Sequence, residues 1–190
     1  MTRQIKKWQT VSSRLLVDHE QLRVIEDVVK LPNGRQSIYV RHASVSNHSV
    51  ATIAVNDKKE ILIQREYSYP PNKVMWQLPG GKMEDKETIE IAALRELAEE
   101  SGYSAKKTTV LGSFFVHNRL SDRQQYVVLC SNIYEHSLPE DDDEFIESVW
   151  LPELTIKHMI TEGEFDNINL LAGLNLWFWS KERIRLGFSI

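Results

Sequence analysis

Residues 78–103 read Leu-Pro-Gly-Gly-Lys-Met-Glu-Asp-Lys-Glu-Thr-Ile-Glu-Ile-Ala-Ala-Leu-Arg-Glu-Leu-Ala-Glu-Glu-Ser-Gly-Tyr, and the fold is decided here. From Thr88 to Ser101 the composition is Ala, Leu and Glu with no Gly or Pro, and Gly102 follows, which predicts a helix with a glycine stop. On that helix Glu96 and Glu100 stand four residues apart on one face, with Glu99 one turn from Glu96. Three carboxylates within five positions repel one another, and Arg95 offsets only part of the charge. Two readings follow: a solvated acidic face, or a site for a hard cation such as Mg²⁺ or Mn²⁺ completed by substrate phosphates. The adjoining Gly80-Gly81 pair allows a backbone to approach such a site closely.

Moving outward, residues 70–87 hold three prolines and the glycine pair and read as a long shaped loop. Before it, Val50–Val55 and Glu60–Tyr67 flank a turn at Asn56–Lys59, a hairpin signature. Earlier still, Leu22–Val29 and Ser37–Val45 are strand-like around the turn Pro32-Asn33-Gly34. After the helix, Val110–Val116, Gln124–Cys130 and Phe145–Leu151 return to strand composition, with the acidic run Glu140–Glu144 as a loop. Leu154–Thr161 and Asn167–Arg185 carry helical character. The order is a strand-rich start, a central helix, more strands and terminal helices, without internal repeats.

With 190 residues, 42% hydrophobic, the chain has the bulk for a core and a ligand cleft without disulfides. A net charge of -4 gives no field to gather nucleic acid or an anionic membrane. The single cysteine, Cys130, lies in the apolar run Tyr126–Cys130 and reads as a small buried hydrophobe. No secretion signal pattern appears near Met1, and Ile168–Trp179 is too short and interrupted to cross a bilayer, so the expected setting is cytoplasmic.

The pattern Gly81, Glu87, Arg95-Glu96-Leu97, Glu99-Glu100, Gly102 resembles the Nudix box of hydrolases that cleave nucleoside diphosphates linked to another moiety. Its last aliphatic position is held by Tyr103. The resemblance implies an α/β fold, a Nudix α/β/α sandwich around a mixed sheet, over residues 46–190, preceded by a small β-rich region over 1–45 that serves dimerisation and nucleotide binding. Leu31-Pro32-Asn33-Gly34, Arg65-Glu66-Tyr67, Trp76–Gly81 and Phe145-Ile146-Glu147 are similar to the ADP-ribose and nucleoside diphosphate sugar pyrophosphatase branch. That branch implies a homodimer acting on a small nucleotide, with neither nucleic acid nor membrane as partner.

By the family's pattern Glu96 and Glu100 are metal ligands, Glu99 a shared ligand or water-orienting group, and the Gly80 carbonyl a backbone ligand, with Mg²⁺ or Mn²⁺ as cofactor. Gly81, Glu87, Arg95 and Gly102 shape the motif, Arg95 bracing the loop by an ion pair. The general base falls in the acidic run, at Glu144 or Asp142. Guanidinium forks match phosphate geometry, which nominates Arg65, then Arg119 and Arg123 in the loop His117–Arg123. Trp8, Tyr39 or Trp76 is the expected platform for the base, although packing roles serve each equally well. The Phe115–Ser121 stretch lacks the proline typical of ADP-ribose specialists, leaving other nucleoside diphosphate sugars open. Rival readings are a nucleoside triphosphate or dinucleoside polyphosphate pyrophosphohydrolase, and a non-catalytic nucleotide-binding module.

Overall fold

The computed structural model describes residues 5–43, 48–139 and 145–188. The chain divides into two compact units, residues 1–47 with 117–123, and residues 48–116 with 124–190. The sequence reading put 117–123 with the larger domain; in the structure this loop groups with the N-terminal strands. The cause is local. The His42 N–H donates to the Leu120 carbonyl at 2.7 Å and the Tyr39 hydroxyl to the Arg119 carbonyl at 2.5 Å.

The smaller unit is an antiparallel meander of β1 (Gln9–His19), β2 (Leu22–Lys30) and β3 (Gln36–Ala43). Gly34, at φ 85°, closes the turn between β2 and β3, where its N–H reaches the Leu31 carbonyl at 2.9 Å. Asp27 is buried at the centre of β2. It accepts from Arg41 Nε on β3 and from the Ser13 hydroxyl on β1, each at 2.6 Å, and these bonds hold its carboxyl below the usual range. A buried charge with two donors ties the three strands together at Ser13, Asp27 and Arg41, between the two register shifts of the β1–β2 pair.

The larger unit is built on β4 (His48–Val55), β5 (Glu60–Ser68), β6 (Lys73–Gln77), β7 (Tyr103–Phe115), β8 (Gln124–Glu135) and β9 (Ile146–Pro152). The sheet order is β6-β5-β4-β8-β7, with β9 on β5. β4 and β8 are parallel and the other pairs antiparallel. Alternation sends Val50, Ala54, Leu62, Val128 and Cys130 to one face, beneath α1 (Ile89–Ser101). Ile53, Ile61, Ile63, Val127 and Leu129 go to the other, under α2 (Glu153–Thr161) and α3 (Ile168–Phe178). Both faces are covered, as an α/β/α sandwich requires, and this is why β4 and β8 read as continuous apolar runs.

Three details differ from the sequence reading. Within the loop expected over 70–87, Lys73–Gln77 forms β6 against β5, because Pro70 and Pro71 lie before it and Pro79 after it, leaving its N–H groups to the ladder. β7 begins at Tyr103, directly after the glycine stop, rather than at Val110. The last helical stretch is broken at Trp179: the Ser180 hydroxyl accepts from Arg183 N at 3.2 Å and starts a separate α4 (Lys181–Arg185).

Candidate active site

The site is assembled where β5 leaves β4. These strands share one register pair, Val55 with Ile61, and β5 then continues to β6. The segment Pro79–Lys82 takes the vacated edge of β4: Thr52 N–H donates to the Pro79 carbonyl at 2.7 Å and Val50 N–H to the Gly81 carbonyl at 2.9 Å. At Gly80, with φ 148°, a Cβ would stand 2.2 Å from the Val50 carbonyl oxygen, so nothing larger than glycine fits. At Gly81 a Cβ would stand 2.7 Å from both Glu96 carboxylate oxygens. The two glycines therefore bring bare backbone against the sheet edge on one side and the acidic helix on the other.

Helix α1 starts at Thr88, whose hydroxyl accepts from Ile91 N at 3.3 Å, and ends at Gly102 in the left-handed region at φ 71°. Ala92, Ala93 and Leu97 pack it on the sheet, which turns Glu96, Glu99 and Glu100 toward the glycine loop and its flank. Gly80 N–H donates to Glu100 Oε2 at 2.9 Å. Arg95 is the organising cation. Its Nε and Nη2 grip Glu87 at 2.8 and 3.0 Å, and its Nη1 meets Glu96 at 3.0 Å and Glu99 at 2.8 Å. Nη2 also donates to the Lys82 carbonyl at 3.0 Å, tying helix to loop. The Arg95 hydrogen bond holds the Glu87 carboxyl below its ordinary range, and Glu87 in return raises the arginine's affinity for its proton.

One guanidinium shared by Glu87, Glu96 and Glu99 leaves negative charge in a half-buried setting, and the donors are hard oxygens beside a glycine backbone with no room for a side chain. That chemistry fits a divalent cation. Among the described residues no group of three acidic, histidine or cysteine side chains is arranged to hold a metal ion, and Arg95 pairs with the Glu96 and Glu99 carboxylates. Asp142 and Glu144, expected to supply the base, lie outside the described residues.

The remaining expected residues fall into two groups. In the larger unit Arg65 of β5 lies over the Trp76 ring at 5.3 Å and pairs with Glu147 of β9 at 3.5 Å. Trp76 also packs on Phe165, so one contact of the expected platform is a cation and another is core. In the smaller unit Trp8 meets the Tyr39 ring edge-on at 6.1 Å, and Tyr39 binds the Arg119 carbonyl. The Arg119 side chain is exposed, while Arg123 Nε is buried without a hydrogen-bond partner among the described residues. Two contacts at the site escaped the sequence reading. Gln64 and Ser148 both reach the Glu100 main-chain carbonyl, at 3.3 and 3.4 Å. Gln64 had a signal, a polar residue closing the buried run Ile61-Leu62-Ile63; Ser148 had none.

The NUDIX domain pattern matches residues 46–173 of this chain. The chain belongs to the NUDIX family. It is 32% identical over 143 residues to an ADP-ribose pyrophosphatase of Bacillus subtilis (strain 168), a match covering 73% of this chain and 75% of that protein. It is 24% identical over 188 residues to the ADP compounds hydrolase NudE of Escherichia coli (strain K12), covering 97% and 100%. A crystal structure of an ADP compounds hydrolase superposes with a TM-score of 0.87 at 20% identity, covering 99% of this chain and all of that one (100%), so the fold is shared end to end. This Nudix hydrolase is thus an enzyme of a family that works with divalent metal ions.

Proposed function

We propose that this Nudix hydrolase cleaves the diphosphate linkage of ADP-ribose or a related nucleoside diphosphate sugar, giving a nucleoside monophosphate and a sugar phosphate. The observation that carries the reading is the Gly80-Gly81 backbone seated on the Glu96 and Glu100 carboxylates. Relatives named for ADP-ribose and ADP compounds support the substrate class. In this reading Glu96, Glu99, Glu100 and the Gly80 carbonyl hold Mg²⁺ or Mn²⁺, which when bound offsets the diphosphate charge and acidifies water for attack on phosphorus. Glu144 or Asp142 would take a proton from the attacking water. Arg65 receives the diphosphate, with Arg119 and Arg123 as further donors, and Trp8, Tyr39 or Trp76 stacks on the base. Arg65 has to exchange its Glu147 partner for phosphate, a weak contact to give up because it spans 3.5 Å between a half-exposed arginine and a largely exposed glutamate.

The strand region 1–45 is proposed to join two copies of the chain. All of β1 is exposed, including Val11 at 54% and Leu15 at 50%, and a strand edge so rich in apolar residues favours a partner. Light scattering on the purified chain checks this, with twice the monomer mass expected.

The deciding experiment is hydrolysis of a panel of ADP-ribose, ADP-glucose, GDP-mannose, UDP-glucose, dinucleoside polyphosphates and nucleoside triphosphates, with Mg²⁺ or EDTA and products identified by mass. Metal-dependent release of AMP and ribose 5-phosphate supports ADP-ribose as substrate. Turnover of another sugar nucleotide alone moves specificity to the Phe115–Arg123 loop, and turnover of triphosphates alone overturns the reading. Glu100→Gln is expected to lower turnover by orders of magnitude, on the order of 10²-fold or more, with an unchanged circular dichroism spectrum.

A further inference from the structure

A helix leaves its last carbonyls short of intrahelical partners, and in α1 two of them, one beside its capping bond from Gly102, accept from donors outside the helix. The Ala98 carbonyl receives Gly102 N at 3.2 Å and Leu138 N at 3.4 Å. The Glu100 carbonyl receives two side chains from the sheet, Gln64 Nε2 at 3.3 Å and the Ser148 hydroxyl at 3.4 Å, and Gln64 Nε2 also donates to Ser148 Oγ at 3.2 Å. Gln64 and Ser148 stand opposite each other in the antiparallel β5–β9 pair, so both side chains leave the sheet on the α1 face. Gln64 is completely buried, and its Oε1 has no hydrogen-bond partner among the described residues. A position that only filled space would take an apolar residue, as Leu62 does two places earlier on the same face. The amide is accounted for by what its N–H group does.

Glu100 is therefore held at two points. Its carboxylate is met in front by the Gly80 N–H, and its main chain is gripped behind by Gln64 and Ser148. Helix ends fray, and Glu100 sits one residue from this one. We propose that Gln64 and Ser148 are positioning residues that clamp the last turn of α1 to the sheet and aim the Glu100 carboxylate at the cation. This rests on the reading of Glu100 as a metal ligand. Partners of this kind behind a ligand typically govern metal affinity and not only stability.

The test uses Gln64→Met, close in shape but without the N–H donor, and Ser148→Ala, in the full chain, with Mn²⁺ binding followed by the electron paramagnetic resonance of the free ion. Each variant is expected to raise the Kd for Mn²⁺ by about tenfold while turnover at saturating Mn²⁺ stays within about threefold. In a Glu100→Gln background, Gln64→Met is expected to change the Kd no further, because the two act through one group. Unchanged Mn²⁺ affinity in both single variants, or a Gln64→Met effect that persists undiminished in the Glu100→Gln background, overturns the clamp. If Gln64→Met does not fold, the exposed Ser148→Ala variant decides by the same criterion. Loss of Mn²⁺ binding in Glu100→Gln with none in the clamp variants sinks the clamp alone. Unchanged binding in Glu100→Gln itself sinks the ligand reading and the clamp together.

Discussion

The two glycines of the site do different physical work, and alanine separates them. At Gly80 a Cβ meets immovable backbone, the Val50 carbonyl at 2.2 Å, in a conformation that L residues rarely adopt. Gly80→Ala is expected to destabilise the whole domain by about 3 kcal/mol or more, read as a lower urea midpoint. At Gly81 the obstacle is the flexible Glu96 carboxylate, so Gly81→Ala is expected to fold and to lose activity through displacement of that carboxylate. Melting temperatures beside turnover numbers check the contrast; a Gly81→Ala enzyme with full activity would remove Glu96 from the site. Cys130 is silent at this scale: burial under α1 pushes its thiol up to about 12. It is expected to react with a thiol reagent at pH 8 only after unfolding, counted as one thiol per chain.

Among the elements, the terminal helices are locked by a buried ion pair that the sequence did not advertise. Glu153 opens α2 and accepts from Arg183 of α4 at 2.5 and 2.8 Å, from Lys157 at 2.7 Å and from the Trp177 indole at 3.3 Å. Burial pushes the Glu153 carboxyl up, but the Arg183 and Lys157 bonds outweigh it and leave it below the ordinary range. Removing the guanidinium leaves a buried carboxylate with less compensation, so Arg183→Met is expected to cost about 3 kcal/mol, measured by urea unfolding. Because the folded carboxyl is the stronger acid, its contribution is present above the unfolded value near 4 and is lost as pH falls through the folded value. Asp27 and Glu87, also depressed, act in the same direction. The melting temperature is expected to fall below about pH 5 and to fall less steeply in Glu153→Gln, since that variant has one fewer carboxylate to protonate.

For the whole molecule, the division into two units separates the expected substrate residues, Arg65 and Trp76 in one, Trp8, Tyr39, Arg119 and Arg123 in the other. The loop 117–123 belongs to the smaller unit, where it is hydrogen-bonded to β3. Among the described residues no helix is long and apolar enough to cross a membrane. Tyr39→Phe removes the hydroxyl that holds the Arg119 carbonyl; with Arg119 proposed as a substrate donor, this variant is expected to raise KM severalfold with kcat nearly unchanged, the mark of a lost binding contact. Steady-state kinetics on the preferred substrate of the panel measures it.

What the sequence by itself determined were the features whose cause is local. The Thr88–Gly102 helix carries its cap, composition and stop within fifteen residues, the strands announce themselves by apolar runs between turns, and the glycine and glutamate spacing of residues 81–102 identified the family before any fold was known. The tertiary structure decided everything that depends on residues distant in the chain. Lys73–Gln77 became a strand only because β5 offers it a ladder. Gly80 is obligatory because Val50 passes 2.2 Å from its missing Cβ. Gln64 and Ser148, 84 positions apart, meet at Glu100 because β5 and β9 pair in that register. Spacing along one chain records which groups share a helix face, whereas contacts across a sheet follow from register, which packing on both faces selects.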